Sequence, residues 1–511
     1  MSQPIRSEPT RRFSSRDVLA GLSVSLVLIP QSMAYAELAG LPTHHGLYAA
    51  AAAPVAAAFF ASSPYLQTGP VALTALLTLG ALLPLAEPGS ADFVGLAALL
   101  ALVCGVVRVF VGIVKAGWIS HLMSRPMLSG FTSAAAILIV SAQLPGALGS
   151  DAPAGGVLGR ALWAVANPET WEFAGIGLTV GTVIVVLGGR RLHPLVPGVL
   201  IAALGGLIFS VVTGYEGGTV GAIPSGLPQV SLALPWQSLP ILVLPGAVIA
   251  LIGFAEAASI SRIFATEDRQ RWDPNREFLS QGAANLAAGL VGGMPVGGSF
   301  TRSSVNRLSG ARSRWSGLIT GVGVLVFLPF ASILAPLPRA VLAGIVIAAI
   351  APLFRPRDLA ALWSVSAAQA LVGWGTFLLT LALAPRIEQA VVLGVLMSGA
   401  VHMWRELSPD VEARLEGDEL HLRLKGVLWF GSAPGLEDAL VARLAEEPDV
   451  KKVVIHCGGL GRIDLTAAYG LAHMAEQAEA AGLELEVRDV PEHAKRVMDA
   501  AGVGTHGPPA S

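Results

Sequence analysis

A break within an apolar stretch carries the residues best suited to chemistry. Residues 292–304 are GGMPVGGSFTRSS, so four glycines and a proline interrupt the helical pattern before hydroxyl residues and one arginine. A helix that starts after such a break directs unpaired N–H groups and its positive dipole end to one point. This arrangement favours anions. The pattern therefore predicts an anion site formed by Ser299, Phe300, Thr301 and Arg302.

Arg302 is the charged residue of this break. It follows Gly298 by four residues, which places it too deep in the membrane for easy snorkelling. A charged side chain at this depth is costly to bury and is therefore expected to be functional. The alternative is that Arg302 lies at the cytoplasmic end of a span and extends its side chain to the membrane surface. We expect Arg302 to supply fixed positive charge to the anion site.

A second break, QTGPVAL at residues 67–73, opens the third of fourteen predicted spans. The first break enters the tenth span, which is the third of the second seven. Glycine- and proline-interrupted short segments at matching positions of two halves indicate the midplane site of a transporter. Thr68 and Gly69 are therefore added to the predicted binding residues. The alternative is that glycine and proline are simply more common in membrane helices.

Three polar side chains elsewhere in the spans are candidates for the same site. Glu256 lies in the eighth span, where burial disfavours the charged form of a carboxylate, so it is suited to carry a proton or to coordinate sodium. A static ion pair, for instance with Arg302, is the alternative. Gln31 and Tyr35 lie one helical turn apart in the first span. They suit hydrogen bonding to a substrate, or equally packing between helices.

Two further charged residues are predicted near the membrane faces. Glu37 lies near the outer end of the first span, where an interfacial role is as well supported as a functional one. Arg108 is expected to snorkel near the inner face.

The elements that position these residues are membrane helices. Of 511 residues, 53% are hydrophobic and 13% are charged, against about 25% charged in a soluble domain. The deficit of charge is confined to residues 18–404, which predicts a polytopic membrane protein with a soluble tail. A full span needs about 20 apolar residues. The predicted spans are 18–38, 45–61, 67–85, 93–114, 122–143, 172–188, 195–213, 240–262, 277–293, 299–311, 315–335, 339–354, 361–384 and 387–404.

Lysine and arginine placement predicts the orientation. With a cytoplasmic N-terminus, alternate loops lie in the cytoplasm, and these loops carry most of the lysines and arginines. Cytoplasmic loops of membrane proteins have such an excess of basic residues. This asymmetry favours fourteen crossings with both ends in the cytoplasm, and seven crossings per half make the second half inverted. Basic residues are scattered over short loops, so nucleic-acid binding is not indicated. Cys104 and Cys457 lie in a span and in the tail, so no disulfide framework is implied.

The tail alternates strand and helix patterns from about residue 408, which predicts a small α/β domain. Alternating runs flank a turn at residues 416–418, a buried-strand run covers 452–457, and helical spacing covers 436–445, 465–481 and 492–501. The tail carries no phosphate-binding loop, metal-ligand cluster or defensible catalytic grouping. We therefore predict neither an enzyme nor a resident cofactor.

These residues resemble a known family. The chain is similar, in order from about residue 15 to 505, to the sulfate permease (SulP) family of anion transporters, and its tail resembles the STAS domain. The matching segments are 30–36 (PQSMAYA), 40–42, 46–48, 68–72 (TGPVA), 253–261, 275–277 with Gly282 and Asn285, and 298–303 (GSFTRS).

The resemblance implies a 7+7 inverted repeat divided into a core and a gate. Spans 1–4 and 8–11 would form the core, and spans 5–7 and 12–14 the gate. The domains are then residues 1–16, a transport domain at 17–405, a STAS domain at 406–505 and a disordered tail at 506–511. Family membership also implies an elevator mechanism, homodimers in many members, and a bacterial-type inner membrane with the N-terminus and STAS domain cytoplasmic.

The implied function is secondary active transport of a small inorganic or carboxylate anion. Glu256 favours proton-coupled symport of sulfate or a dicarboxylate. The alternatives are a sodium-coupled bicarbonate symporter, or an anion channel or exchanger on the same scaffold. Where related STAS domains have Asp-Ser-Ser-Gly, this tail has Asp464, Leu465, Thr466 and Ala467. Thr466 is thus a possible regulatory position, although a helix N-cap is the better interpretation of Asp464 or Thr466.

Overall fold

The computed structural model describes residues 13–121, 123–153, 155–407 and 410–503. Most of the predicted N-terminal segment and the predicted 506–511 tail therefore lie outside the described residues. Contacts divide the chain into a first unit that ends at Leu396 and a second that begins at Met397, within a long helix. The domain boundaries drawn from the sequence stay predictions.

The first unit contains two sets of helices, each interrupted by one short strand. The first set consists of α1 (Ser15–Leu38), α2 (Thr43–Phe60), β1 (Thr68–Gly69), α3 (Ala72–Leu82), α4 (Ala91–Ile113), α5 (Arg125–Leu148), α6 (Val157–Ala166), α7 (Phe173–Leu192) and α8 (Gly198–Thr213).

The second set repeats the pattern and ends on the helix that enters the second unit. It consists of α9 (Leu239–Glu267), α10 (Pro274–Leu290), β2 (Gly297–Gly298), α11 (Phe300–Leu308), α12 (Trp315–Phe327), α13 (Arg339–Ile350), α14 (Pro356–Val365), α15 (Ala367–Ala382) and α16 (Ile387–Glu406).

Each predicted span overlaps at least one of these helices, which is consistent with the fourteen-span count. Among the described residues, eight helical stretches are long and apolar enough to cross a membrane, and one of them, Arg339–Val365, combines α13 and α14. Besides shifts at the ends of several helices, two features differ from the prediction. Helix α6 lies in a predicted loop, and the predicted span 361–384 is interrupted at Ser366, where extended backbone separates α14 from α15.

Small residues allow α10 to approach α4 closely. A Cβ atom at Gly282 would lie 2.8 Å from the backbone nitrogen of Val109, and one at Gly105 would lie 2.8 Å from the backbone nitrogen of Leu286. Helices in membranes associate through such contacts between backbones. Helix α10 therefore packs tightly against α4, and it also packs against α2.

The second unit is the predicted small α/β domain. Its strands β3 (Asp410–Glu416), β4 (Glu419–Leu428), β5 (Lys452–Ile463) and β6 (Glu484–Arg488) form one sheet in the order β3-β4-β5-β6. The pair β3–β4 is antiparallel, and the pairs β4–β5 and β5–β6 are parallel. Helices α17 (Ala433–Glu446), α18 (Leu465–Ala480) and α19 (Glu492–Ala500) complete the domain.

Two details refine the sequence prediction for this unit. Strand β5 continues six residues beyond the predicted end, to Ile463, because the glycine-containing segment stays paired with β4 through register shifts. Asp464 is the N-cap of α18 and accepts a hydrogen bond from the Ala467 N–H at 2.8 Å, as predicted. Thr466 is an exposed residue of the first turn. Its regulatory role stays a prediction.

Glu486 gives the second unit a predictable acid sensitivity. The Arg488 guanidinium and the Lys452 ammonium hydrogen-bond this carboxylate and lower its pKa to about 2. A depressed folded-state pKa contributes stability above the unfolded-state pKa of about 4.3, and this stability is lost as the pH falls toward the folded-state value. We expect Glu486→Gln to reduce the protection of β6 amides from hydrogen exchange at about pH 7, and to reduce the loss of protection between about pH 4 and about pH 2.

The matched control for this prediction is Glu484→Gln. Glu484 contacts the same lysine at 3.0 Å, but its side chain is 68% exposed. Solvent-exposed ion pairs contribute little, so its removal should leave exchange nearly unchanged. Equal effects of the two substitutions, after correction for intrinsic exchange rates, would contradict the assignment to Glu486.

Candidate anion-binding site

Strands β1 and β2 bring the two breaks of the membrane unit together. They pair antiparallel, with Thr68 opposite Gly298 and Gly69 opposite Gly297. The Ser299 N–H extends the pairing by donating to the Gln67 carbonyl at 3.0 Å. Helices α3 and α11 begin directly after these strands, so their N-terminal ends meet at one place. Both helix ends direct free N–H groups and positive dipole charge toward this place.

Side chains from neighbouring helices satisfy the backbone that the second break exposes. Asn285 on α10 accepts from the Val296 N–H at 3.0 Å and donates to the Val296 carbonyl at 3.1 Å. The Thr74 hydroxyl on α3 donates to the Pro295 carbonyl at 2.9 Å. An irregular backbone at membrane depth is tolerated only where such partners exist. These contacts fix the direction in which the chain enters β2.

Arg302 lies at the start of α11 with its side chain directed into the protein. The residue is 1% exposed, and its Nη1 donates to Gln31 Oε1 at 3.3 Å. Its Nε and Nη2 atoms are buried and have no hydrogen-bond partner. Nη2 lies near Gly69, 3.5 Å from the position that a Cβ atom would occupy there. Burying a guanidinium with unsatisfied donors is costly. The free N–H donors at Nε and Nη2 are therefore available to bind an anion.

Two other predicted residues lie within electrostatic range of Arg302. Tyr35, which is 5% exposed, interacts with the charges of both Arg302 and Glu256. Glu256 on α9 is half-buried and interacts with Arg302 through space, but no ion pair within 4.0 Å joins the two side chains. The ion pair between Glu256 and Arg302 that was considered as an alternative is therefore not formed in this structure.

The remaining predicted residues divide into two groups. The Thr68 hydroxyl accepts from Gln281 Nε2 at 2.6 Å, and the Ser299 hydroxyl caps α11 by accepting from the Arg302 N–H at 3.5 Å. These two hydroxyls serve the local structure. Phe300 and Thr301 instead line a cavity, and Phe300 is 50% exposed.

This cavity has a volume of about 630 Å³ and lies beside α11. A volume of this size is typical of small-molecule sites. Residues near the start of α1, the end of α7 and the end of α11 line it, including Ser23, Arg190 and Leu308. All of these helix ends face the side that the basic residues predict to be cytoplasmic.

Glu37 lies at the opposite end of α1. Its carboxylate lies 3.7 Å from the Nε atom of Arg339, at the start of α13. Both line a second, polar cavity of about 610 Å³ together with Glu172 and Tyr215. This position is at the end of the spans predicted to face outward, away from Arg302.

The prediction that Arg108 snorkels is wrong. Arg108 is fully buried, and its guanidinium donates to the carbonyls of Ile249, Ala250 and Val296. The error arose because distance from the span end says nothing about which face of α4 is covered. Helix α9 and the backbone before β2 cover that face and supply the acceptors.

The polar residues of α10 hold the site, although no role was predicted for them from the sequence. Gln281 and Asn285 hold the two breaks, and Glu277 accepts from the Ser62 and Ser63 N–H groups at 3.1 and 2.8 Å. All three are fully buried. They recur every four residues, so one face of α10 carries them all. That spacing is the sequence signal for a polar face directed into the protein.

The comparisons with known proteins agree with this architecture. The family model described as "Sulfate permease family" matches residues 15–376, and the model "Mlab, STAS domain" matches residues 411–506. The chain belongs to the sulfate permease family. The sodium-independent sulfate anion transporter of Bos taurus is 30% identical over 508 residues, covering 92% of this chain and 82% of that protein.

Solved structures give the same fold. The murine anion transporter Slc26a9, in its inward-facing state, has a TM-score of 0.85 at 19% identity and covers 97% of this chain and 88% of that chain. The transmembrane domain of the cyanobacterial bicarbonate transporter BicA has a TM-score of 0.65 at 26% identity, covering 77% of this chain and all of that one. As a sulfate permease family member with a C-terminal STAS domain, the chain is a membrane-spanning anion transporter.

Proposed function

We propose that this protein is a proton-coupled symporter of sulfate or a dicarboxylate. The observation that carries the proposal is the buried guanidinium of Arg302, whose Nε and Nη2 atoms lack partners where the N-terminal ends of α3 and α11 meet. Two converging dipole ends and one guanidinium favour a compact anion with several acceptor oxygens. The residues that contact the anion are then Gln31, Tyr35 and Gly69 beside Arg302, with the backbone at Ser299 and the hydroxyl of Thr301 at the cavity entrance.

Glu256 is the proposed proton carrier. It lies within the field of Arg302 without pairing directly with it, so its charge is available to change when an anion binds. A proton on Glu256 makes the site more positive and strengthens its attraction for a second negative charge on the substrate. The bovine relative is named a sodium-independent sulfate transporter, which favours protons over sodium as the coupling ion.

The proposed transport motion is an elevator movement between two groups of helices. Helix α10 from the second half packs on α2 and α4, whereas α13 and α15 pack on α5, with α13 also on α7. Each group thus combines helices from both halves, as a core and a gate would. Strands β1 and β2 contact α2, α9 and α10, so the site lies with the first group. We further propose a homodimer in a bacterial-type inner membrane with a cytoplasmic N-terminus and STAS domain.

A second candidate function is sodium-coupled bicarbonate symport. The name of the BicA domain, which is 26% identical to this chain, favours it. The site geometry is compatible with either anion. Two helix dipoles and one guanidinium select a ligand by its negative charge more than by its shape. An anion channel or exchanger on the same scaffold is less well supported, because a charge-lined pore needs polar residues along several spans.

The test is uptake into liposomes that contain the purified full-length protein. Labelled sulfate, fumarate, bicarbonate and chloride are each supplied with an inward proton gradient, with an inward sodium gradient, and with neither. We expect sulfate or fumarate to enter fastest under the proton gradient. Faster bicarbonate uptake under the sodium gradient would decide for the second candidate, and gradient-independent uptake of every anion would contradict symport.

A further inference from the structure

Arg108 is a second fully buried guanidinium close to the anion site. Its Nε donates to the Ala250 carbonyl at 2.9 Å, its Nη1 to the Val296 carbonyl at 2.8 Å, and its Nη2 to the Ile249 carbonyl at 3.3 Å. Among the described residues, no carboxylate forms an ion pair with it. Its partners are backbone carbonyls from two separate segments, α9 and the approach to β2.

A buried arginine without a counter-charge is costly to retain. The planar guanidinium offers five donors in a fixed fork, which suits three carbonyls at fixed directions. A lysine would keep the charge but present its donors from a single nitrogen. The geometry therefore indicates that the fork, in addition to the charge, determines the residue type at this position.

The two segments that Arg108 joins carry the two functional groups of the proposed transporter. Val296 directly precedes β2, and the chain continues from there to Arg302. Ile249 and Ala250 lie about six residues before Glu256 on the same helix, which is about 9 Å along its axis. One guanidinium thus fixes the backbone that leads to the anion-binding group against the helix that bears the proton carrier.

The neighbouring glycine provides the room for this fork. A Cβ atom at Gly253 would lie 2.5 Å from Arg108 Nη2 and 3.1 Å from Thr74 Cγ2. An alanine there must displace the end of the arginine side chain away from α9. Gly253→Ala is therefore a means to move the guanidinium while its charge is kept.

We infer that Arg108 is a positioning residue of the anion site. It holds β2 and the start of α11 at a fixed separation from Glu256, so that the groups for anion and proton act as one unit. This inference rests on the proposed function. A misplacement of about 1 Å at a reacting or binding group can cost up to about 100-fold, so loosening the fork should weaken anion binding.

The experiment compares Arg108→Lys, Gly253→Ala and the wild type in liposomes, with whichever of sulfate, fumarate or bicarbonate the wild type takes up fastest. Both variants are expected to raise KM about tenfold or more, with the maximal rate per folded molecule changed by less than about threefold. Gly181→Ala on α7 is the matched control, since a Cβ atom there meets nothing within 4 Å. Its KM should equal that of the wild type.

The outcomes separate the two proposals. A purely structural role would lower the yield of folded protein and leave KM unchanged in both variants, which would overturn the inference alone. If Arg108→Lys does not fold, the KM of Gly253→Ala decides. Absence of uptake by the wild type for every anion would overturn the proposed function, and with it this inference.

Discussion

Replacing Arg302 by alanine is expected to abolish saturable anion uptake while the protein stays folded. In the wild type, the Nε and Nη2 atoms of Arg302 are buried without partners, so an anion that binds there gains charged hydrogen bonds in a site shielded from water. Removing one partner of a buried charged pair costs about 2–5 kcal/mol, or about 30-fold to several thousand-fold in affinity. Uptake kinetics and the anion-dependent rise in melting temperature both measure this loss.

Arg355→Ala is the matched control for this substitution. The Arg355 side chain is 68% exposed, its Nη1 lies 3.8 Å from Asp358 Oδ2, and its Nε donates to the Pro352 carbonyl at 3.2 Å. Its removal changes the net charge of the protein by the same amount without altering a buried site, so KM should stay within about twofold of the wild-type value. If Arg302→Ala retains the affinity of the wild type, the site is not at Arg302.

Glu256→Gln is expected to remove the effect of a proton gradient on uptake. Glutamine is close to glutamate in shape and permanently neutral, so it mimics the protonated form and cannot release a proton on the other side. Each unit of pH difference supplies about 1.4 kcal/mol, which is about tenfold in accumulation for one proton per anion. The variant should therefore exchange anions across the membrane but reach the same accumulation with and without the gradient.

Glu267→Gln serves as the control on the same helix. Glu267 lies at the end of α9, its side chain is 53% exposed, and it pairs with Arg307. Its neutralisation should leave gradient-driven accumulation intact. Unchanged dependence on the gradient in Glu256→Gln would exclude this residue as the proton carrier. Loss of a dependence on sodium in Glu256→Gln, in a protein whose wild type is driven by a sodium gradient, would favour the bicarbonate candidate.

The membrane architecture was largely predictable because the bilayer imposes strong rules on sequence. Long apolar runs have to be helices, and the glycine and proline clusters at 67–73 and 292–304 have to be interruptions. Both interruptions occur where predicted. The antiparallel pairing of Thr68–Gly69 with Gly297–Gly298 was not predicted, because two-residue strands leave no alternation pattern to detect.

The packing around the site was less predictable, because it depends on which helix faces meet. Arg108 was expected to extend to the membrane surface, but α9 and the approach to β2 cover it. The hydrogen bond that the Thr68 hydroxyl accepts from Gln281 was not predicted, and the contact of Thr68 with substrate stays a prediction. The regular spacing of Gln281 and Asn285 indicates one polar face, but only the three-dimensional contacts identify its partners.

The most direct test of the account is to locate a bound anion. Selenate is a divalent tetrahedral analogue of sulfate, and its selenium gives an anomalous signal in a crystal of the full-length protein. We expect one selenate at the N-terminal ends of α3 and α11, within hydrogen-bond distance of Arg302 Nη2. Selenate bound instead at Arg190 in the 630 Å³ cavity, with none at Arg302 in a protein that takes up sulfate, would contradict the central claim.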